Sequence, residues 1–377
     1  MAYTTIDDPS AYFQTALWSG DDATTQNITN DGNSDLQPDW VWVKCRNTQG
    51  NGFSHNVWDT SRGVDNNVNK SLFPDVADSE GGGDTITTTA QLGGVSAMLS
   101  DGFTVREGST DNDSRYVNEN SRTYVGWQWK ANGGTTTTND ASSTGVGTID
   151  SVYQANTTAG FSIVTYTGTG SAGTIAHGLG VAPTAIIGKD RSDTSQWFVQ
   201  HPALGATHYG ELDDTTAFAD DANYFNDSTP TSTVFGVGSD GATGGTTNYV
   251  AYCFAPIKGY SHFGKYTGNA NADGPFAYTG FKPAWLLIKN NTSGEGWMLH
   301  DTTVDNATTQ GNPVEQRFQV NENQTEVGTT NAFDFLSNGF KVRTDTTSHN
   351  GSGHTIVYFA FAEHPFVSSK GVPTTAR

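Results

Sequence analysis

The fold is decided by three short stretches that end in lysine: Pro38-Asp-Trp-Val-Trp-Val-Lys44, Pro183-Thr-Ala-Ile-Ile-Gly-Lys189 and Pro283-Ala-Trp-Leu-Leu-Ile-Lys289. In each stretch a proline stands six residues before the lysine, and most of the residues between them are apolar. Because apolar side chains fall on both faces of such a strand, we predict that each lies centrally in a sheet with both faces covered.

Further landmarks follow each lysine in the same order. An aromatic residue comes first, then a turn with a half-apolar strand, then a closing strand rich in aromatic residues. Asp-Gly and Asn-Gly pairs before two of the half-apolar strands are typical of tight turns. The aromatic residues are Phe53, Trp197 and Trp297, the half-apolar strands contain Phe103, Phe235 and Phe340, and the closing strands are Tyr124–Lys130, Tyr249–Ala255 and Ile356–Ala362.

The landmarks recur at long intervals. Lys44 and Lys189 are 145 residues apart, and Lys189 and Lys289 are 100 apart. A unit of this length, with several short strands and turns rich in Gly and Asn, is typical of a sandwich rather than of a propeller blade or a solenoid coil. We therefore predict an all-β chain of three tandem, jelly-roll-like β-sandwich repeats, with helix in less than about a tenth of its residues.

The landmark positions also predict domain boundaries. Residues 1–131 are expected to form repeat 1 with an N-terminal arm, and residues 160–258 repeat 2. Residues 259–377 are expected to form repeat 3 with a C-terminal tail. The intervening stretch 132–159 is rich in Thr, Gly and Ser, a composition that favours a linker or an extended arm.

Charge and cysteine content exclude several classes of function. The net charge of −20 would repel phosphate backbones and anionic membrane surfaces, so we expect no nucleic-acid partner. The sequence has no apolar run of the length that a membrane span requires, so we expect no membrane insertion. The spacing of Cys45 and Cys253 does not support a disulfide, and we expect two free thiols.

The acidic residues offer few arguments for chemistry. Asp59 and Asp301 occupy similar points of two repeats, which favours a structural role, such as capping a turn or pairing with Arg62, over catalysis. We expect no enzyme, no catalytic residue and no cofactor. The one weak candidate for a cofactor is calcium, because Asp31 and Asp35, and likewise the run Asp111–Asp113, set several oxygen atoms close together without the spacing of a calcium-binding loop.

Tryptophan offers the better candidates for a binding role. Exposed aromatic rings stack on the faces of sugar rings, and the chain has 9 Trp. Five of them lie on the lysine strands and the closing strands and are assigned to the core: Trp40, Trp42, Trp127, Trp129 and Trp285. Trp18, Trp197 and Trp297 are the better candidates for a surface role and are the predicted glycan contacts, although the recurrence of the last two at one repeat position also fits packing.

Several of these strings resemble a repeat found in tail-fibre-like virion proteins of marine and cyanobacterial phages. The strings are Gln37-Pro-Asp-Trp-Val-Trp-Val-Lys44, Trp58-Asp-Thr-Ser-Arg-Gly63, Ser100-Asp-Gly-Phe-Thr-Val105 and Tyr124-Val-Gly-Trp-Gln-Trp-Lys130. The resemblance extends over nearly the whole chain and brings no catalytic residues with it. It implies a virion protein on the tail or the capsid surface, made in the host cytoplasm, and the N-terminus, which lacks the features of a signal peptide, agrees with this origin.

The resemblance implies a tail fibre, spike or tail-tip knob that binds a host-surface receptor, with a glycan as the expected ligand. The alternatives are a capsid decoration or adapter with a purely architectural role, and a polysaccharide depolymerase. Other virion proteins are the implied partners, and a homo-oligomer, preferably a trimer, is the implied assembly. We expect the binding site where the repeats differ, in the loops Lys44–Phe53, Arg106–Asn120 and Asp213–Thr233.

Overall fold

The structure is a computed structural model that describes residues 3–50, 53–64, 70–81, 92–108, 113–306 and 311–374. Within these residues the chain is almost entirely β, as the sequence predicts, with four short helices between its strands. The helices are α1 (Ala141–Thr144), α2 (Ala222–Phe225), α3 (Thr302–Asn306) and α4 (Thr347–Asn350). No helix among the described residues has the length and hydrophobicity needed to cross a membrane.

The strands fall into three units along the chain. Unit 1 holds β1 (Phe13–Ser19), β2 (Thr25–Ile28), β3 (Trp40–Cys45), β4 (Asn56–Asp59), β5 (Gly94–Met98), β6 (Phe103–Arg106) and β7 (Thr123–Trp129). Unit 2 holds β8 (Thr137–Asn139), β9 (Ser151–Asn156), β10 (Phe161–Thr167), β11 (Gly173–Ala176), β12 (Ala185–Asp190), β13 (Phe198–Gln200), β14 (His208–Glu211), β15 (Ala219–Asp220), β16 (Val234–Val237) and β17 (Asn248–Phe254). Unit 3 holds β18 (Ser261–Thr267), β19 (Phe276–Tyr278), β20 (Phe281–Asn290), β21 (Trp297–Asp301), β22 (Val314–Gln319), β23 (Val327–Leu336), β24 (Gly339–Val342) and β25 (Thr355–Pro365).

Each unit contains the same four-stranded antiparallel block. The order is β1-β7-β3-β4 in unit 1, β10-β17-β12-β13 in unit 2 and β18-β25-β20-β21 in unit 3. The lysine strand lies between two neighbours in every block, which confirms the prediction of a central, fully covered strand. Its register is also constant, because Lys44, Lys189 and Lys289 each pair with a valine of the closing strand.

One landmark was predicted wrongly in unit 1. The register of β3 against β4 ends at the pair Val43 and Asn56, and one further step along it brings His55 opposite Lys44, the position that Trp297 takes opposite Lys289. Phe53 is therefore not the equivalent aromatic residue; its carbonyl oxygen instead accepts a hydrogen bond from Lys44 Nζ at 2.9 Å. The cause is a longer turn, since His55 comes 11 positions after Lys44 and Trp297 comes 8 positions after Lys289.

A second layer covers the outer face of each block. It consists of β2-β6-β5 in unit 1, β11-β16 in unit 2 and the β22-β23-β24-β19 part of a continuous eight-stranded sheet in unit 3. Each unit has its own apolar core between the two layers, as expected for a sandwich. Strand alternation explains this arrangement, because successive side chains of the central strand point alternately to the outer and the inner face.

The inner faces of all three blocks meet in one shared aromatic core. Trp40 of unit 1 stacks on Tyr252 of unit 2 with ring centroids 4.5 Å apart. Trp129 of unit 1 lies 5.6 Å from Trp285 of unit 3, and Phe254 of unit 2 lies 5.8 Å from Phe361 of unit 3. The units are therefore not independent sandwiches in a row, because each completes its core with the side chains of the other two.

The inter-unit contacts close into a ring. At the end of the fourth strand of each block, a polar side chain reaches the closing strand of the next unit. Asp59 accepts a hydrogen bond from Tyr252 Oη at 2.7 Å, His201 Nε2 donates to the Tyr358 carbonyl oxygen at 3.0 Å, and Asp301 accepts from Trp127 Nε1 at 3.2 Å. The buried pair formed by Asp59 and Arg62, with Oδ2 and Nε 2.5 Å apart, confirms the structural role predicted for this acid.

The buried lysines strengthen the same interfaces. Lys44 Nζ donates to the Asn323 carbonyl oxygen of unit 3, and Lys289 Nζ donates to the Asp214 carbonyl oxygen of unit 2. Burial lowers the pKa of Lys44, Lys189 and Lys289 to about 8. Backbone carbonyl oxygens, rather than carboxylates, satisfy these ammonium groups, so the recurring lysine serves the fold.

The stretch predicted as a linker, residues 132–159, is part of unit 2. Its strands β8 and β9 extend the sheet of unit 2 at the edge of β10. Gln154 of β9 also donates hydrogen bonds to Thr60 and Ser61 of unit 1, both at 2.7 Å. The alternative of an extended arm is therefore the better description, because strand pairing satisfies the backbone of this polar segment.

Candidate functional site

Two exposed aromatic rings stand side by side on the edge strand β19. Phe276 is 46 % exposed and Tyr278 is 54 % exposed, whereas Ala277 between them is buried. The alternation of a strand places both rings on the same outer face, about 7 Å apart along the strand. Of the large hydrophobic side chains that are exposed among the described residues, these two are the aromatic ones. We call Phe276, Tyr278 and the adjoining Tyr3 the aromatic strip.

Tyr3 continues the strip beyond Tyr278. Its hydroxyl group lies 3.1 Å from that of Tyr278 and donates a hydrogen bond to the Gly280 carbonyl oxygen at 2.8 Å. The ammonium group of Lys258 lies over the Tyr3 ring, 4.2 Å from its centroid. Partial burial, together with Tyr278, raises the pKa of Tyr3, so its hydroxyl group stays protonated. This end of the strip combines ring faces with hydroxyl and ammonium donors.

The Phe276 end of the strip is bounded by a charged pair. Lys341 of β24 lies opposite Phe276 of β19 and forms an ion pair with Asp273, with Nζ and Oδ1 2.7 Å apart. The hydrogen bond from Lys341 lowers the pKa of Asp273, which keeps its exposed carboxylate ionised. Gly339 is the cross-strand neighbour of Tyr278, and a Cβ atom there would stand 2.1 Å from the Ala277 carbonyl oxygen and 2.9 Å from Phe276 Cζ. The glycine therefore leaves room for the backbone of β19 and for the Phe276 ring against β24.

The strip has the chemistry of a surface that stacks on sugar rings. Aromatic faces pack on the C–H faces of a pyranose, while neighbouring hydroxyl, ammonium and carboxylate groups pair with its hydroxyl groups. β19 pairs with β24, and Ala277 packs in the core of unit 3, so the backbone beneath the rings is fixed without a ligand. A ligand would therefore lose little conformational entropy of the protein on binding.

The tryptophans predicted as glycan contacts lie elsewhere. Trp197 and Trp297 are 0 % exposed, and each donates its indole hydrogen bond to a carbonyl oxygen of another unit, Phe73 O and Glu211 O respectively. The prediction that they contact a glycan is wrong, because their rings belong to the shared core. Trp18 is half-buried and stacks on Tyr124, so its role in glycan contact stays a prediction.

The predicted calcium loops have no counterpart in the geometry that is described. Asp31 and Asp35 are both exposed. Asp111 and Asn112 lie outside the described residues. Within the described ranges, no three His, Cys, Asp or Glu side chains come together in a way that could hold a metal ion.

Sequence reasoning missed the aromatic strip because its signal is short. Pro275-Phe-Ala-Tyr278 alternates large and small apolar residues, a pattern that predicts a strand with one aromatic face. Whether other side chains cover that face depends on the strand order of the sheet in unit 3, in which β19 is an edge strand. A second sequence signal is that this motif has no counterpart among the landmarks that recur in all three units.

One family model matches most of the chain. The family model described as "Domain of unknown function (DUF7483)" matches residues 8–365, and the chain belongs to this family. No curated protein and no solved structure matches the chain significantly.

Proposed function

We propose that this member of the DUF7483 family is a phage virion protein, displayed as a tail fibre, spike or tail-tip knob, that binds a host-surface glycan through its aromatic strip. The observation that carries the proposal is the pair of exposed rings on β19, Phe276 and Tyr278. Exposing large aromatic side chains to water is unfavourable, and Phe276 is the one exposed Phe or Trp ring among the described residues. A ligand that covers the rings explains their position.

The charge of the protein narrows the ligand class. With a net charge of −20, the surface disfavours acidic polysaccharides at a distance. The strip itself offers ring faces together with both donors and acceptors, from Lys258 to Asp273. A neutral glycan matches these features better than an anionic one.

The resemblance of the lysine and turn strings to phage tail-fibre-like repeats supports the virion assignment. It also implies assembly with other virion proteins and with further copies of this chain. One copy presents one strip, so a homotrimer would present three to the same cell surface. Multivalent presentation raises the effective affinity of weak glycan contacts by orders of magnitude.

Binding of the labelled, purified protein to host cells tests the proposal. We expect the native protein to bind, the Phe276→Ala/Tyr278→Ala variant to lose most of the binding, and Val327→Ala to bind as the native protein does. Val327 is a suitable control because it is also an exposed apolar side chain of unit 3. Failure of the native protein to bind, together with gold-labelled copies distributed over the capsid, would support the decoration role instead.

A further inference from the structure

A pocket of about 290 Å³ opens beside the start of β12 and the end of β13 in unit 2, and no residue of β19 lines it. Its apolar walls include Pro183, Pro202 and Pro230, and its polar lining includes Thr184 and Gln200. Strand alternation directs Gln200 to the same face as Phe198, which packs in the core of unit 2. The pocket therefore continues the space between the two layers of this unit.

The other two units fill the corresponding position with a ring. Gln200 pairs with Ile186 of the lysine strand, as Trp58 pairs with Val41 in unit 1 and His300 with Leu286 in unit 3. Trp58 and His300 are both fully buried in their units, and His300 Nε2 lies 3.0 Å from His349 Nε2. A smaller, unbranched side chain at Gln200 leaves room that a ring would occupy.

Two polar groups of the pocket have no hydrogen-bond partner among the described residues. Gln200 is 3 % exposed, yet its Nε2 donor is unpaired, and so is Thr184 Oγ1. Ile186 lies opposite Gln200, and Thr184 precedes it by two residues on the same face, so the two groups are diagonal neighbours about 7–8 Å apart. Buried polar groups without partners destabilise a fold, and natural proteins pair nearly all of them.

We infer that this pocket binds the acetamido group of an N-acetylated sugar. Both atoms are covered, so the two side chains would turn towards the pocket, where the carbonyl oxygen of an acetamido group would accept a hydrogen bond from Gln200 Nε2 and its N–H would donate one to Thr184 Oγ1. Its methyl group would pack against the proline walls. A hydroxyl group alone would leave those walls uncovered. A carboxylate would find no cationic side chain in the lining, because burial lowers the pKa of His201 to about 4 and keeps it neutral.

One of the loops that the sequence predicts to bind a ligand lines this pocket. Thr229 and Pro230, which line it, belong to the stretch Asp213–Thr233, in which unit 2 differs from the other units. This inference names a sugar class for the proposed glycan-binding function, and it depends on that function only for the assumption that the sugar belongs to a host-surface glycan. The pocket and the aromatic strip belong to different units, so each can fail without the other.

Saturation-transfer NMR on the full chain tests the inference, with N-acetylglucosamine as the probe and glucose and glucosamine as controls. We expect saturation of the acetyl methyl group, at least tenfold weaker binding of both controls, and a tenfold loss in Thr184→Val. Gln200→Trp should abolish binding by placing a ring where units 1 and 3 have one, and Gln200→Leu tests the lost donor if the larger residue impairs folding.

The strip variant Phe276→Ala/Tyr278→Ala separates the two proposals. We expect it to keep N-acetylglucosamine binding at the pocket while it loses binding to cells. Equal saturation of glucose, no saturation of any probe, or native affinity in Thr184→Val would overturn the pocket assignment. Loss of the signal in the strip variant alone would also overturn it, because the sugar would then be bound on β19.

Discussion

The hydrogen bond between Tyr252 and Asp59 offers a sharp test of the shared core. Tyr252 Oη donates to Asp59 Oδ2 across the interface of units 1 and 2 at 2.7 Å, and both side chains are fully buried. The substitution Tyr252→Phe removes only the hydroxyl group. The ring remains stacked on Trp40, and Asp59 keeps its ion pair with Arg62. The change in stability therefore reports on a single inter-unit hydrogen bond.

The magnitude follows from the charge of the acceptor. A hydrogen bond to a charged group contributes about 1.5–3 kcal/mol when it is buried. We therefore expect Tyr252→Phe to lower the free energy of unfolding by about 2 kcal/mol. The matched control is Tyr278→Phe, whose hydroxyl group is exposed and contacts only Tyr3 among side chains of the described residues. Its effect should stay within about 0.5 kcal/mol.

Urea unfolding, followed in parallel by tryptophan fluorescence and far-UV circular dichroism, measures both variants. Because the three units share one core, we expect the two probes to report one cooperative transition and the whole transition to shift in Tyr252→Phe. Separate transitions, of which only one moves, would refute the description of the three units as one cooperative body. A decrease in the free energy of unfolding of less than about 0.5 kcal/mol would refute the contribution assigned to the hydrogen bond between Tyr252 and Asp59.

Three further predictions concern the backbone, pH and the thiols. Gly102 and Gly180 both have positive φ, but a Cβ atom at Gly102 would lie 1.9 Å from the Ile28 carbonyl oxygen and one at Gly180 meets nothing within 4 Å; Gly102→Ala should therefore lower the urea midpoint far more than Gly180→Ala. Burial lowers the pKa of His201 to about 4 in the folded protein, so on acidification the unfolded chain binds this proton first. The free energy of unfolding should therefore fall between pH 6.5 and pH 4. His201→Asn should lessen that fall by up to about 3 kcal/mol in urea unfolding measured across this pH range. Both cysteines are free and buried, so a thiol reagent should react with them only after denaturation, and rapid labelling of the native protein would contradict this.

The β class and the equivalence of the units could be predicted because their signals are local. Proline, alternating apolar residues and a terminal lysine specify the central strand in each unit, and the structure gives all three the same register. The repetition of Asp59 and Asp301 was likewise sufficient to indicate a structural acid, since a residue that recurs with the fold serves the fold.

The shared core could not be predicted from the same strings. A strand such as Trp40–Cys45 is apolar on both faces, so both faces must pack against other side chains. The sequence of the strand does not show whether the side chains on its inner face come from its own unit or from a neighbouring unit. Trp197 and Trp297 were misassigned for this reason, because their partners are carbonyl groups of other units more than 80 residues away in sequence. The aromatic strip also depends on layer order, which strand patterns do not encode.

The affinity of the purified protein for host-surface polysaccharide, measured in parallel for the native chain and for Phe276→Ala/Tyr278→Ala, tests the central claim most directly. Each aromatic ring that stacks contributes about 1 kcal/mol, so the loss of both should raise the dissociation constant about thirtyfold without changing the unfolding midpoint. Equal dissociation constants for the two proteins, or no binding by the native chain, would contradict the assignment of the aromatic strip as the glycan-binding surface.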